Sequence, residues 1–351
     1  MNQFAQHLEH IAVGAPVAAG NLAMFPLFHD DPQARADGAK TADYLGFDEA
    51  VEREQVSVTE IDDGGSVPTL LLDNHAAQPV FLLDGEQLIG AKQNRTVNLS
   101  LLVAGGVKTE IPVSCVEAGR WSRNSRKFHG SRHMHYSRGR RDKMAQVNRN
   151  LRQHKSRRAD QGQVWSSIAD KRAAFAAEAP TAAMDDIYES ATARLSDYER
   201  GLTPAPRQVG AVFAIDGEAS GFDLFADAAQ CAKYFSKLVG SHALDALESA
   251  NQPGNTRRKM RSKMRDKAYG EASGESSGES SDKARDELPA REVATAFLQR
   301  FAVAAEEVHD AIGLGSDVRV ESAEVIGAGL VLEDECVHLA GFPKEDDGVR
   351  R

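Results

Sequence analysis

Polar, chemically active side chains crowd into residues 84–121. The stretch opens with Asp84-Gly85-Glu86-Gln87-Leu88-Ile89-Gly90-Ala91-Lys92-Gln93-Asn94-Arg95 and closes with Ser114-Cys115-Val116-Glu117-Ala118-Gly119-Arg120-Trp121. Apolar runs flank both halves, so these groups sit on or beside strands, where burial obliges them to find partners. Lys92, Gln93, Arg95, Glu117 and Arg120 have the chemistry of an anion site, with Glu86 in support. Ammonium and guanidinium groups hold phosphate or carboxylate through charge-assisted hydrogen bonds. Glu86 and Glu117 are also candidates for a general acid–base pair, although chain spacing does not set their separation. Cys115 is the one cysteine of the cluster. As a nucleophile it needs a neighbouring histidine or cation to lower its pKa. One of His129, His133, His135 and His338 would have to fold against it. The same residues also read as a salt-bridge network that sets strand register, with Cys115 a small core residue. These readings stay open at the level of sequence.

Other chemistries are weaker. His129, His133 and His135 resemble a metal grouping, but they lie among arginines and the nearest acid is Asp142. Neighbouring cations repel a divalent ion, so no metal is expected, and no cofactor is indicated. The glycine-rich nucleotide loops and HExxH are absent.

The elements that must position the cluster read as antiparallel strands. Short apolar strands fall at 21–28, 56–61, 67–72, 79–83, 96–103 and 107–113. Pro26 places the first at an edge or a bulge. Asp84-Gly85 supplies the turn of a tight hairpin returning through 87–89. The β-rich N-terminal part is therefore a sandwich or a curled sheet. Helices follow at 142–153, 163–177 and 182–200; in the last, Met184, Ile187, Ala191, Leu195 and Tyr198 share a helical stripe. A second, small α/β part has a strand at 208–215, helices at 227–249 and 290–312, and a closing hairpin over 318–340. The stripe of the 290–312 helix is Val293, Phe297, Phe301 and Val308, with Gly313 and Gly315 closing it. The fold class is α+β. VFLLDGEQLIG at 80–90 recurs as VFAIDGEASG at 212–221. Either two hairpins share a turn or the chain holds an internal pseudo-duplication.

Charge is segregated. Residues 120–158 carry fourteen Lys and Arg against Asp142 alone, a net +13 in a chain of −10, so the rest sums to −23. With Phe128, Tyr136 and histidines interspersed, this run suits nonspecific nucleic-acid binding. It equally suits lying across the acidic body of the same chain. Residues 257–267 are basic and 270–282, GEASGESSGESSD, acidic and low in complexity. The expected organisation is one α+β domain over 11–250 and 288–343. Its interruptions are a partly disordered basic insertion at 122–158 and a disordered one at 251–287. Three scattered cysteines, no apolar signal-like N-terminus and no 18-residue apolar window point to a cytoplasmic protein with no membrane association.

LLDGEQLIGAKQNRTVNLSLLV followed by IPVSCVEAGRW resembles the ARG and Rhodanese-Phosphatase-superfamily-associated protein domain family, ARG being ADP-ribosylglycohydrolase. The likeness continues in GNLAMFPL, QVGAVFAIDGEASGFDLF, FSKLVGSHALDAL and VHLAGF, and spans nearly all of the chain outside the two basic insertions. It implies company with ADP-ribose hydrolysis and phosphatase chemistry, without a mechanism or catalytic residues to carry over. The function expected is an accessory one in ADP-ribose, nucleotide or nucleic-acid stress metabolism, acting through an anion site on the 84–121 strands. A nucleotide or ADP-ribose is the expected ligand. The alternative is a non-catalytic interaction scaffold with a structural polar network, and a Cys115 thiol enzyme stands third. Oligomeric state is not encoded in any of these features.

Overall fold

The computed structural model describes residues 3–30, 43–62, 67–120, 125–177, 181–251 and 279–344. Its architecture is α+β. Helices are α1 (Gln3–Glu9), α2 (Phe47–Glu52), α3 (Ser137–His154), α4 (Gln161–Ala174), α5 (Asp185–Gly201), α6 (Ala228–Asn251) and α7 (Glu279–Ala302). A nine-stranded antiparallel sheet runs β1 (Ile11–Val13), β3 (Leu22–His29), β13 (Gly210–Ile215), β14 (Glu218–Phe225), β18 (Glu335–Pro343), β17 (Val325–Leu332), β16 (Ser316–Glu321), β15 (Ala305–Asp310). Its ninth strand, β2 (Val17–Ala19), pairs beside β1 on β3. Pro26 of β3 falls between the β2 and β1 pairings, opposite Gly14, where a missing N–H costs no ladder bond.

The N-terminal strands close on themselves. β11 (Lys108–Cys115), β6 (Thr69–Asn74), β5 (Val56–Thr59), β12 (Phe128–Met134), β8 (Glu86–Gly90) and β9 (Arg95–Val97) form a closed barrel. Closure leaves no unpaired edge, and the expected curled sheet becomes a cylinder. Beside it lies a three-stranded patch, β10 (Leu101–Val103), β7 (Val80–Leu82) and β4 (Leu45–Gly46).

The cores follow from strand alternation. Val58, Leu72, Leu88, Val97, Ile111 and Val113 fill the barrel. On the long sheet, Ala211 and Phe213 pack with the α5–α6 side, while Val212 and Ala214 pack with Phe4, Phe297 and Phe301 of α1 and α7 on the other. Both faces are thus covered by helices.

Three expectations change. The turn at Asp84-Gly85 does not make a hairpin, because β7 and β8 join different sheets. Gly85 has φ +84 while Asp84 keeps a negative φ, and Glu86 N–H donates to Leu83 O (3.0 Å), a type II turn. At Asp216-Gly217 both residues have positive φ, the type I′ geometry whose twist suits a hairpin, and β13 and β14 pair there. Next, the helix expected over 290–312 ends at Ala302. Residues 305–310 form an edge strand on β16, and Val308 is exposed. Glu306 of that strand accepts the N–H groups of Gln3 and Phe4, docking α1 against it.

Finally, the basic stretch is not an appendage. Residues 128–134 complete the barrel, and α3 buries Arg140, Lys143, Met144, Val147 and Leu151 on one face. The charges at 140 and 143 replace apolar residues in the stripe because acids await them inside. Of the 251–287 insertion expected to be disordered, residues 252–278 lie outside the described residues, while 279–287 fall in α7; of the 122–158 insertion, only 122–124 lie outside them.

Candidate functional site

The end of the barrel interior turns polar. β9 and β11 pair with Arg95 opposite Cys115. Two residues from Val97 and Val113, both continue the face that lines the apolar core. Glu60 does the same beyond Val56 and Val58. Arg95 is fully buried and Glu60 nearly so, with Ile61 and Asp62 next to it exposed, so the pair lies just under the surface.

Arg95 Nη1 donates to Gln93 O (3.0 Å) and lies 3.5 Å from Cys115 Sγ. Cys115 Sγ is 3.0 Å from Gln93 Oε1, and the Gln93 amide donates to Glu117 O (2.8 Å). Arg120 forks onto Glu117, Nε to Oε1 at 2.9 Å and Nη2 to Oε2 at 2.7 Å. It also donates to Ala91 O (2.7 Å) and Asn94 Oδ1 (3.1 Å), while Asn94 N–H donates to Glu117 Oε2 (3.0 Å). Gln93, Arg95, Cys115, Glu117 and Arg120 therefore form one network. Lys92 sits half-buried on the turn that carries Gln93.

Two parts of this network differ in saturation. Burial pushes the Glu117 carboxyl up, but the Arg120 hydrogen bond and the Asn94 N–H outweigh it and hold it below its ordinary value. Glu117 and Arg120 spend their capacity on each other and on the 90–94 turn, which they clamp to the strand end. By contrast, Nε and Nη2 of Arg95 and both carboxylate oxygens of Glu60 are buried with no hydrogen-bond partner among the described residues. Arg95 Nη2 and Glu60 Oε1 are 3.6 Å apart, an ion pair without hydrogen-bond contact.

Glu86 belongs elsewhere. Leu83 N–H donates to its Oε2 (3.1 Å) and Lys237 Nζ to its Oε1 (2.7 Å), and Lys237 also reaches Asp48 (2.6 Å). Burial raises the Glu86 carboxyl against the pull of Lys237. Glu86 and Glu117 thus sit in separate clusters. Burial also raises the Cys115 thiol, against the opposing Arg95 charge, so it is protonated at neutral pH. The histidines are dispersed. His129 is exposed, His133 stacks on Tyr188 (4.2 Å), His135 is buried and His338 pairs with Asp223. Among the described residues no group of three or more His, Cys, Asp or Glu is placed to hold a metal. No described helix is long and apolar enough to cross a membrane.

An ionic pillar joins barrel to sheet. Arg140 binds Asp223 with both terminal nitrogens (3.0 and 2.6 Å) and approaches Asp84 through Nε (3.4 Å). Lys143 Nζ donates to Asp84 Oδ1 (2.8 Å). Burial works against the Asp223 charge, but Arg140 and His338 more than reverse it and hold the carboxyl well below the usual range. Other cations of the basic run pair within the chain too: Arg138 with Glu248, Arg152 with Glu321, Arg157 with Asp317. Sequence reasoning missed Glu60, Asp223 and Asp84 as partners. Its available signal was the i, i+3, i+7 spacing that puts Arg140 and Lys143 in line with Val147 on one helix face.

A family model described as the ARG and Rhodanese-Phosphatase-superfamily-associated Protein domain matches residues 10–342. No curated protein and no solved structure matches the chain. The match takes in the barrel, the long sheet and the helices between them, including the 125–158 stretch whose arginines build the pillar. The chain belongs to the ARG and Rhodanese-Phosphatase-superfamily-associated Protein domain family.

Proposed function

We propose that this protein is a ligand-binding accessory to the enzymes with which its family is associated, and that its ligand seats on Arg95 and Glu60 at the barrel end. The observation that carries this is the hydrogen-bonding capacity left unmet there among the described residues: two guanidinium nitrogens and two carboxylate oxygens, all buried. An unmade buried hydrogen bond costs about 1–3 kcal/mol, more when the group is charged. A ligand that offers an acceptor to Arg95 and a donor to Glu60 recovers that loss. Vicinal hydroxyls of a ribose do both, which suits a nucleotide or ADP-ribose.

Isothermal titration with ADP-ribose and ribose 5-phosphate tests the reading. Binding is expected to the wild type, with at least about tenfold loss in Arg95→Lys and in Glu60→Gln, a single hydrogen-bond exchange being worth about 1.4 kcal/mol or more. No heat from any ligand, or equal affinity in both folded variants, overturns it. The saturated Glu117–Arg120 clamp favours a second reading, a non-catalytic scaffold with a structural polar network. There, substitutions at the barrel end lower the melting temperature and change no ligand response.

A further inference from the structure

Three residues far apart in the chain meet where the barrel abuts the long sheet. Ser100 lies in the loop between β9 and β10, Asp223 on β14 and His338 on β18. In the β14–β18 register Asp223 pairs with Ala340 and Phe225 with His338, so Asp223 and His338 are diagonal neighbours on one face. Ser100 Oγ is 2.9 Å from His338 Nδ1, and His338 Nε2 is 3.1 Å from Asp223 Oδ1.

The direction of this chain of hydrogen bonds follows from its buried end. Asp223 is gripped by Arg140 and is a carboxylate, so it only accepts. His338 Nε2 therefore carries the proton, and Nδ1 is left to accept from the Ser100 hydroxyl. Asp84 N–H donates to Ser100 Oγ from the other side (2.9 Å). Burial is graded in the same order: Asp223 0 %, His338 1 %, Ser100 partly exposed. Ser100 and His338 border a cavity of about 10 Å³, also lined by Asp84, Asn98 and Arg319. That is room for about one water.

We propose that Ser100, His338 and Asp223 form a nucleophilic site that cleaves carboxylic esters. His338 Nδ1 takes the hydroxyl proton as Ser100 Oγ bonds to the ester carbonyl carbon. The carbon–oxygen bond to the alcohol then breaks, and His338 returns the proton to the departing alcohol. A water next attacks the acyl-serine, giving its proton to His338, and the acid leaves as Ser100 regains its hydrogen. Asp223 keeps the imidazole in one tautomer and orientation throughout, the division of labour that recurs on unrelated folds. The cavity has room for the attacking water of the second step but not for an acyl group, which lies on the partly exposed side of Ser100. A second serine–histidine contact, Ser220 Oγ to His242 Nδ1 at 3.0 Å, serves as an internal comparison. Its His242 Nε2 has no hydrogen-bond partner among the described residues, so none of them is an acid that orients that ring.

Incubation of the full-length protein with a fluorophosphonate probe, followed by peptide mass mapping, tests the proposal. One adduct is expected, on Ser100. It disappears in Ser100→Ala, and His338→Asn slows labelling at least about a hundredfold, the lower end of what a general base contributes. Thermal melts report whether each variant folds. Should Ser100→Ala not fold, Ser100→Cys takes its place: iodoacetamide then alkylates the introduced thiol faster than the native cysteines. No adduct on the folded wild type, an adduct on Ser220 instead, labelling indifferent to His338→Asn, or an inert introduced thiol would each overturn it.

Discussion

Replacing Arg140 by leucine tests what holds the two halves of the fold together. Arg140 is fully buried, donates twice to Asp223 and once more weakly to Asp84, and lies 5.2 Å from the centre of the Phe342 ring. Leucine keeps the aliphatic contact and removes the charge. Asp84 retains Lys143, but Asp223 is left with His338 alone. Stripping one partner from a buried pair costs about 3–5 kcal/mol, because the remaining charge is uncompensated. That is a large share of the 5–15 kcal/mol typical of a folded domain. The deficit depends on pH, and its sign is set by Asp223. In the wild type its folded pKa lies below the unfolded one, so its contribution is present at neutral pH and is lost as pH falls below about 4. In Arg140→Leu, burial prevails and the folded pKa rises above the unfolded one, so protonation relieves the variant. The deficit is therefore greatest near pH 7 and shrinks towards pH 5. Urea unfolding at pH 7.5 and pH 5.0, at one ionic strength, measures it. Arg152→Leu is the comparison from the same helix: its bond to Glu321 is at the surface and is worth less than about 1 kcal/mol. A deficit for Arg140→Leu no larger than that of Arg152→Leu, or one equal at both pH values, would refute the reasoning.

Gly85 and Gly217 share φ +84 but not surroundings. A Cβ on Gly217 meets nothing within 4 Å, whereas one on Gly85 comes within 2.8 Å of Arg140 Cγ. Gly217→Ala should cost only the left-handed backbone strain, about 1–2 kcal/mol, and Gly85→Ala about 1–3 kcal/mol more, read from paired denaturant melts. Asp185, in the first turn of α5, has its carboxyl pushed up to about 6 by burial, with Glu189, Asp186 and Glu117 adding to it. Its ionised form thus burdens the folded state at neutral pH. Asp185→Asn should raise the melting temperature at pH 7.5, with the gain fading between about pH 6 and pH 4; a gain that persists at pH 4 counts against it.

Helix and strand identity was legible wherever one face is apolar and the other wet. The α5 stripe Ile187, Ala191, Leu195, Tyr198 is buried as its spacing requires, and Phe297 and Phe301 fall on the core side of α7. Barrel closure was not legible, because it depends on β12 reaching from residue 128 back to β5 and β8. Val308 misled for a local reason: seven residues after Phe301 it keeps the helical spacing, while the chain has already turned at Ala304 and docked as an edge strand. The grouping of Gln93, Arg95, Glu117 and Arg120 followed from crowding on paired strands. Which of them still has capacity for a ligand did not follow, since that depends on Glu60, thirty-five residues earlier on β5's extension.

The basic run shows the same limit from the side of charge. Summed along the chain, a net +13 over residues 120–158 reads as a surface for a polyanion. In three dimensions its members divide by helix face. Arg140 and Lys143 turn inward to Asp84 and Asp223; Arg152 and Arg157 meet Glu321 and Asp317 across to β16. All four acids belong to the same chain, so these four cations are paired within it. The inward pair carries the energetic consequence, because a buried charge tolerates no missing partner while a surface pair scarcely registers. A charge count therefore gains meaning only when its period is compared with the helix it occupies. At α3 the period of Arg140, Lys143 and Val147 is that of the core, and these cations belong to the structure before they belong to any ligand.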